Sequence, residues 1–190
     1  MNERPILFST PMVKAILDGR KTMTRRIVKP QPQYGVSQCP YVKSGWAESN
    51  DNKKSCSCVP VQSYGQVGYR LWVRETWALS NGIYYYLANR ESPIVEKWKP
   101  SIFMPRCASR ITLEITNVRV ERLQDISAPD CVNEGINTQG PYDVAIYDEF
   151  SSHSIAQFAY LWDSINSKKY PWASNPWVFA IEFKRVENKL

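Results

Sequence analysis

Short segments in which apolar and polar residues alternate are the feature that most constrains how this chain of 190 residues folds. The alternation covers residues 68–76, 111–115 and 177–183, and an aromatic run follows the first of these at 83–88. A period of two predicts strands with one buried face. Short helices are expected between the strands, so the pattern predicts an α+β protein with a curled mixed sheet or small barrel. It argues against a doubly wound parallel sheet.

Three helices are predicted. Apolar residues spaced three and four apart indicate helices at 10–19 and 155–165, and another at 127–135 is indicated by Ser127 with Asp130 three residues later, which resembles a capping box. Gly19 and Gly135 stand where the first two helices are expected to end, because glycine readily adopts the left-handed conformation at that position.

Two local irregularities are expected within the strands. Asn81-Gly82 favours a tight turn, which would pair the 83–88 strand with the 68–76 strand as a hairpin. Val118 and Val120 continue the apolar pattern of 111–115 out of phase, which predicts a β-bulge near residues 116–117. Residues 22–28 are rich in β-branched side chains and are expected to be extended.

Composition excludes several classes of protein. The chain carries 24 Lys and Arg against 18 Asp and Glu, a net charge of +6, and 13% of its residues are aromatic. These values exclude a mainly disordered chain, a coiled coil and a collagen-like repeat. A basic chain rich in aromatics suits stacking on nucleic-acid bases, although large aromatics also fill β-rich cores.

The sequence predicts a cytoplasmic protein that does not enter a membrane. No run of about 18 apolar residues exists, and residues 1–5 contain no apolar stretch of signal-peptide length. The five cysteines are an odd number and are expected to be reduced. One domain over residues 1–190 is expected.

Three long insertions with little regular structure are predicted at about 31–67, 89–105 and 137–153. The first contains Cys39, Cys56 and Cys58, which are weak candidates for a zinc site. Only one residue separates the last two, and no fourth ligand is apparent unless the fold brings Cys107 or His153 near in space. No metal or other cofactor is therefore predicted.

A basic segment follows the first helix. It contains Arg20, Lys21, Arg25, Arg26 and Lys29, which would attract phosphate groups; the alternative is a solvated face. Neighbouring positive charges are expected to lower the pKa of Lys21, so that it acts as a base or nucleophile. The hydroxyls of Thr22 and Thr24 are candidates to lie within its reach. The alternative is a surface lysine beside two strand-forming threonines.

Two further sets of residues are candidates for a site. Glu134, in the last turn of the second helix, has a position that suits a general acid or base, or it is an ordinary surface carboxylate. Between Trp72 and Trp77 lie Arg74 and Glu75. This charged pair either lines a pocket for a flat ligand or ties the sheet together from a buried position.

Four blocks of this sequence resemble the ASCH domain family. They are Pro5-Ile6-Leu7-Phe8 with the first helix and Gly19-Arg20-Lys21-Thr22-Met23-Thr24-Arg25-Arg26; Leu71-Trp72-Val73-Arg74-Glu75-Thr76-Trp77; the helix from Asp125 to Gly135; and Asn175-Pro176-Trp177-Val178-Phe179-Ala180-Ile181-Glu182-Phe183. The second and fourth blocks resemble the longer members found in phages and prophages. The resemblance covers roughly residues 4–30, 68–77, 106–136 and 155–186, and leaves the insertions unexplained.

The resemblance implies a fold related to the PUA domain, a small curled β-barrel flanked by short helices with a cleft beside it. It implies binding of RNA or a modified nucleoside in a basic cleft. Some compact members are amidohydrolases acting on N4-acetylcytidine, and their functional residues would fall on Lys21, Thr24 and Glu134. In such an enzyme Lys21 would activate Thr24 or a water, and Glu134 would pass the proton to the leaving amine.

The residues expected to bind the substrate or nucleic acid surround this set. They are Arg20, Thr22, Arg25, Arg26, Trp72, Arg74, Glu75 and Trp77. Three other functions remain open: a non-catalytic RNA-binding module, a metal-independent ribonuclease, and a phage accessory protein that binds a host protein through the insertions.

Overall fold

The structure is a computed structural model that describes residues 2–33, 35–38, 45–49, 59–60, 64–89, 95, 97–136 and 147–186. Ten strands and three α-helices lie within these ranges. In chain order they are β1 (Glu3–Leu7), α1 (Thr10–Leu17), β2 (Met23–Ile27), β3 (Gly35–Gln38), β4 (Trp46–Ser49), β5 (Val59–Pro60), β6 (Arg70–Arg74), β7 (Trp77–Ser80), β8 (Ile83–Tyr86), β9 (Thr112–Arg122), α2 (Ala128–Asn133), α3 (Tyr147–Asn166) and β10 (Trp177–Val186).

The main sheet has five strands in the order β1-β6-β9-β10-β2. β1 and β6 are parallel, and the other neighbours are antiparallel. The predicted α+β class is confirmed. Within the described residues β1 and β2 remain edge strands, so no ladder closes the sheet into a barrel. The Arg26 side chain spans this gap, donating from Nη2 to the backbone oxygen of Leu7 at 2.9 Å.

Two apolar cores lie on the two faces of the sheet. The inner core contains the alternating apolar residues of the predicted strands. β10 contributes to both cores, because its first half is buried on both faces, as predicted. The inner core includes Ile6, Phe8, Leu71, Val73, Leu113, Ile115, Phe179 and Ile181. The outer core, beneath α2 and α3, is formed by Leu123, Ile126, Cys131, Phe158, Trp162 and Val178.

The β-bulge predicted near residues 116–117 is confirmed. Asn117 pairs with Glu182 and Ile115 pairs with Phe183, so Thr116 has no partner opposite it. A bulge reverses which face the following side chains occupy. Val120 therefore packs against the inner core.

The predicted hairpin partner of the 68–76 strand is wrong. Asn81 and Gly82 form the turn, both with positive φ, but the turn joins β7 to β8 in a separate two-stranded sheet. The chain leaves the main sheet at Glu75, whose carboxylate is buried against the guanidinium of Arg110 at 2.9 and 3.0 Å. That ion pair supports the structural alternative for Glu75.

Two of the predicted insertions contain regular structure. β3, β4 and β5 form a small antiparallel sheet within 31–67. The third helix begins at Tyr147, eight residues before its predicted start, and is 20 residues long. His153 is therefore helical, where a Ser-rich irregular segment is predicted. Its Nε2 lies 2.7 Å from Nε2 of Gln157, one turn later.

Candidate functional site

A cavity of about 560 Å³ opens where the main sheet is not closed. This volume falls in the range typical of small-molecule sites. The edge strand β2, the end of β1 and one face of α3 form its walls. Its lining residues are Leu7, Phe8, Ser9, Met12, Thr24, Arg25, Arg26, Ile27, Lys29, Tyr64, Thr76, Ser101, Glu134, Phe158, Leu161, Trp162, Ile165 and Asn166.

Glu134 at the floor of the cavity forms a buried ion pair with Lys21. The Lys21 ammonium donates at 2.7 Å to the Glu134 carboxylate and at 2.7 Å to the backbone oxygen of the same residue. The two side chains are 0% and 4% exposed. The second bond satisfies a carbonyl at the end of α2, where a cation is favoured by the helix dipole. The structure thus brings together two of the three residues that the family resemblance implies.

Backbone geometry holds this pair in place. The amide of Lys21 donates to the oxygen of Ala15 in α1, and the amide of Thr22 donates to the oxygen of Asn133 in α2. Gly135 follows α2 with a φ of +87°, and a Cβ there would lie 3.2 Å from the Cβ of Lys21. Glycine at this position therefore permits both the helix end and the close approach of the lysine stem.

The pKa of Lys21 is lowered, as predicted, but the expected cause is only a minor one. Burial is the largest effect, because it removes the ammonium group from water. The carboxylate of Glu134 opposes the shift, and the charges of Arg26 and Arg25 add to it weakly. A lysine of this kind releases its proton more readily than an exposed one.

The Thr24 hydroxyl and the Lys21 ammonium have different hydrogen-bond partners among the described residues. The Thr24 hydroxyl is buried and accepts a hydrogen bond from Nη1 of Arg26 at 2.9 Å. Thr24 lines the cavity together with Glu134, whereas Lys21 lies behind Glu134 and does not line it. Thr22 is exposed and outside the cavity. The Lys21 ammonium donates to Glu134, so its reach to these hydroxyls stays a prediction, and the group of the ion pair that faces a ligand is Glu134.

Arg25 belongs to a network of buried charges rather than to a phosphate-binding surface. Its Nη2 donates to Glu121 at 2.6 Å and to Asp130 at 2.7 Å, and its Nη1 approaches Glu134 at 3.4 Å. Burial disfavours the charged guanidinium, but these carboxylates outweigh burial and raise the pKa of Arg25. Arg119 extends the network to the same carboxylates of Glu121 and Asp130. The floor of the cavity is therefore electrically compensated, which corrects the expectation of a uniformly basic cleft.

Aromatic rings form much of the cavity wall. Phe8 lies under two cations, with the ring centroid 5.7 Å from Nζ of Lys21 and 5.1 Å from Cζ of Arg26. On the opposite wall Phe158 and Trp162 of α3 have ring centroids 6.2 Å apart. Flat apolar walls above a polar floor suit a planar heteroaromatic ligand.

The remaining predicted site residues do not line the cavity. Arg20 is half exposed and pairs with Asp18 at 3.2 Å. Trp72, Arg74, Glu75 and Trp77 do not line the cavity, although Thr76 between them does. Trp77 is buried in a separate apolar cluster with Met104. A strand that turns out of the sheet at residue 75 cannot present all four side chains to one side.

Several residues at the site are not predicted from sequence. Asp130 is expected only as part of a helix cap, and its amide does donate to the Ser127 hydroxyl at 3.3 Å. Its carboxylate instead pairs with Arg25 and Arg119. Phe158 and Trp162 are predicted as a helix face without a role. Only their packing against α2 and β2 identifies them as the wall of the cavity.

No metal-binding group is found among the described residues. No cluster of three or more His, Cys, Asp or Glu side chains within them is arranged to hold an ion. Cys39, Cys56 and Cys58 lie outside the described residues, so the weak zinc candidates stay untested. Among the helices described here, none combines the length and apolar character needed to cross a lipid bilayer.

Comparison of this chain with known proteins gives one structural similarity. No protein-family model and no curated protein matches the sequence. Among solved structures, the chain is similar to an ASCH domain from Lactobacillus crispatus, with 14% sequence identity and a TM-score of 0.43. The similarity covers 97% of this chain and 79% of that one.

Proposed function

We propose that this protein is an ASCH-type RNA-modification enzyme that hydrolyses an N-acyl amide on a nucleobase, with N4-acetylcytidine as the model substrate. One observation carries the proposal: the buried Lys21–Glu134 ion pair lies at the floor of a cavity with aromatic walls. The family resemblance of residues 19–26 supplies the substrate class. The phage-type subtype and the cytoplasmic location remain predictions.

The ion pair supplies a proton acceptor that is protected from bulk water. Burial lowers the pKa of Lys21, and its Nζ lies 2.7 Å from the Glu134 carboxylate, close enough for a proton to pass between them. Glu134 faces the cavity and acts directly on the ligand. Lys21 acts through Glu134 and is a positioning residue.

The chemistry requires only water as a second reactant. As a water oxygen bonds to the acyl carbon, one water proton passes to Glu134. When the carbon–nitrogen bond then breaks, the same proton is delivered to the departing nitrogen. The products are a carboxylic acid and the free exocyclic amine, so one water is consumed for each amide cleaved.

We assign Thr24 the role of stabilising the oxyanion that forms during this reaction. Its oxygen accepts a hydrogen bond from Arg26, so its own proton remains available for donation. Donors directed at a developing oxyanion typically contribute about 10² to 10³ in rate. We therefore assign the hydroxyl as a donor to the substrate and take water as the nucleophile.

Mass spectrometry of two substrates tests the proposal: free N4-acetylcytidine, and a short RNA that contains one such base. Loss of the acetyl group from either substrate supports an amidohydrolase. RNA fragments would instead identify a ribonuclease. If both substrates remain intact, the proposed activity is wrong, and RNA binding without turnover becomes the leading account.

Matched variants separate catalysis from stability. Glu134→Gln keeps the volume and the hydrogen bond from Lys21 but removes the proton acceptor, so we expect activity to fall at least about 100-fold. Glu121→Gln is its control, because Glu121 also bonds Arg25 but does not line the cavity. Thr24→Val is paired with Thr112→Val, a threonine that is equally buried outside the cavity. Equal effects within either pair would contradict the assigned roles.

A further inference from the structure

The mouth of the cavity carries exposed apolar side chains. Ser101 lines the cavity and begins a short 3₁₀ turn that continues through Ile102 and Phe103. The Phe103 ring is 69% exposed, and Ile102 is also exposed. Leu7, which lines the cavity, is partly exposed as well. An exposed aromatic ring next to an opening of this kind offers a surface on which a planar group can stack.

Cations without an ion-pair partner among the described residues lie near the same mouth. Lys29 is exposed on the cavity lining, and the neighbouring Arg26 donates to the Thr24 hydroxyl and to backbone oxygens. Arg74 donates from Nε to the backbone oxygen of Met104 at 2.9 Å, next to Phe103. Its guanidinium stacks on Trp72 at 5.1 Å, and no ion pair involves it within the part of the chain described. The rim therefore differs from the floor, where carboxylates compensate the cations.

Hydrogen bonds between neighbouring segments connect the cations of the rim. The amide of Phe8 donates to the oxygen of Arg74 at 3.1 Å, and Arg26 reaches the oxygen of Leu7 at 2.9 Å. A path of cations thus runs from the gap in the sheet, past Leu7, to the 101–103 turn. Repeated negative charges together with flat rings are the features of a single-stranded nucleic acid.

We infer that this rim binds the nucleotides that flank the modified base, so that the protein acts on single-stranded RNA in preference to a free nucleoside. The inference rests on the proposed function in placing the modified base in the cavity. A flanking base stacks on Phe103, and its phosphates contact Lys29 and Arg74. A purely apolar protein partner would leave these cations without a partner, which favours RNA as the ligand.

Fluorescence anisotropy with a labelled short RNA that contains plain cytidine measures binding without turnover. Phe103→Ala should raise the dissociation constant by roughly 5-fold to 100-fold, because stacking on one aromatic ring contributes about 1–3 kcal/mol per base. Tyr160→Ala is the matched control, since Tyr160 on α3 is 82% exposed and does not line the cavity. Equal affinity of wild type and Phe103→Ala, or no binding by wild type, would overturn the inference.

A kinetic comparison separates this inference from the proposed function. Phe103→Ala should lower kcat/KM for the acetylated RNA while leaving kcat/KM for free N4-acetylcytidine unchanged. If both substrates are hydrolysed and neither rate depends on Phe103, the rim has no role, although the enzyme activity stands. If neither is hydrolysed but RNA binding depends on Phe103, the activity is wrong and the rim surface stands.

Discussion

At the residue scale, Lys21 makes two hydrogen bonds to one residue, Glu134, while its side chain is fully buried. Lys21→Met keeps most of the apolar stem but leaves the Glu134 carboxylate with only the longer contact from Arg25. Removing one partner of a buried pair costs about 3–5 kcal/mol. We expect the free energy of unfolding in urea to fall by that amount.

Arg20→Met is the control for this prediction. Arg20 precedes Lys21 and pairs with Asp18, and both of these side chains are about half exposed. An exposed pair contributes about 0–1 kcal/mol, so this variant should unfold close to the wild type. A loss of similar size in both variants would show that burial of the Lys21 pair is not what stabilises this region.

The lowered pKa of Lys21 predicts how stability changes with pH. Between the folded-state pKa and the ordinary value of 10.5, the unfolded chain holds a proton at Lys21 that the folded chain has released. The free energy of unfolding therefore rises with pH in that window, and this contribution disappears below the folded-state pKa. Wild type should gain stability relative to Lys21→Met as the pH approaches 10.5. Parallel pH curves from urea unfolding would contradict the shift.

At this scale the sequence predicts which residues belong to the site better than it predicts which residues they contact. Lys21 and Glu134 are 113 positions apart, and only the family resemblance connects them before the fold is known. Arginine is a common phosphate ligand, but Arg25 is surrounded by three carboxylates. They belong to Glu121 of β9, Asp130 of α2 and Glu134 at the end of α2. Pairing of this kind depends on which strands become neighbours, and no local pattern contains that information.

At the element scale, the ends of α1 and α2 provide a direct comparison. Gly19 and Gly135 both follow a helix with positive φ, but a Cβ at Gly19 meets no atom within 4 Å. A Cβ at Gly135 would approach Ala15 at 3.1 Å and Lys21 at 3.2 Å. Gly19→Ala should cost about 1 kcal/mol from backbone strain alone, and Gly135→Ala should cost more.

Thermal or urea unfolding of the two glycine variants measures this difference. If the two alanines cost the same, the packing of the Lys21 stem against Gly135 does not contribute. Activity toward N4-acetylcytidine should also fall in Gly135→Ala and not in Gly19→Ala, because the first substitution displaces Lys21 from Glu134. This second measurement separates loss of site geometry from general instability.

Elements with a strong local pattern are predicted closely. β6, β9 and β10 follow from alternation, and both early helices end near their glycines. The hairpin partner is wrong because Asn81-Gly82 identifies the turn but not which of two preceding segments enters it. β3, β4 and β5 are missed because each is four residues or fewer and shows no sustained alternation.

At the scale of the whole molecule, the floor and the rim of the cavity differ in charge. Carboxylates compensate the cations at the floor, and Lys29 and Arg74 at the rim have no ion-pair partner among the described residues. If these two contact phosphates, the logarithm of the RNA association constant should fall with the logarithm of salt concentration with a slope of about −1.4.

Titrations of RNA binding at several salt concentrations measure this slope. Lys29→Ala should reduce its magnitude by about 0.7, the contribution of one phosphate contact on a single strand. Lys169→Ala is the control, since Lys169 is exposed and stacks on Tyr170 away from the cavity. A slope close to that expected from the net charge of +6 would instead mean that the protein surface as a whole binds RNA.

Because Thr116 has no partner opposite it in β10, the number of residues in β9 determines which face of the sheet the later side chains occupy. The bulge lies between the inner-core residues of β9 and the residues that follow. It therefore determines on which face of the sheet Arg119 and Glu121 lie, where Arg119 pairs with Asp130 and Glu121 pairs with Arg25. Removing one residue there would exchange inward and outward positions up to the end of the strand, even if every remaining amino acid were kept. Between residues 115 and 121, the number of residues therefore matters as well as their identities.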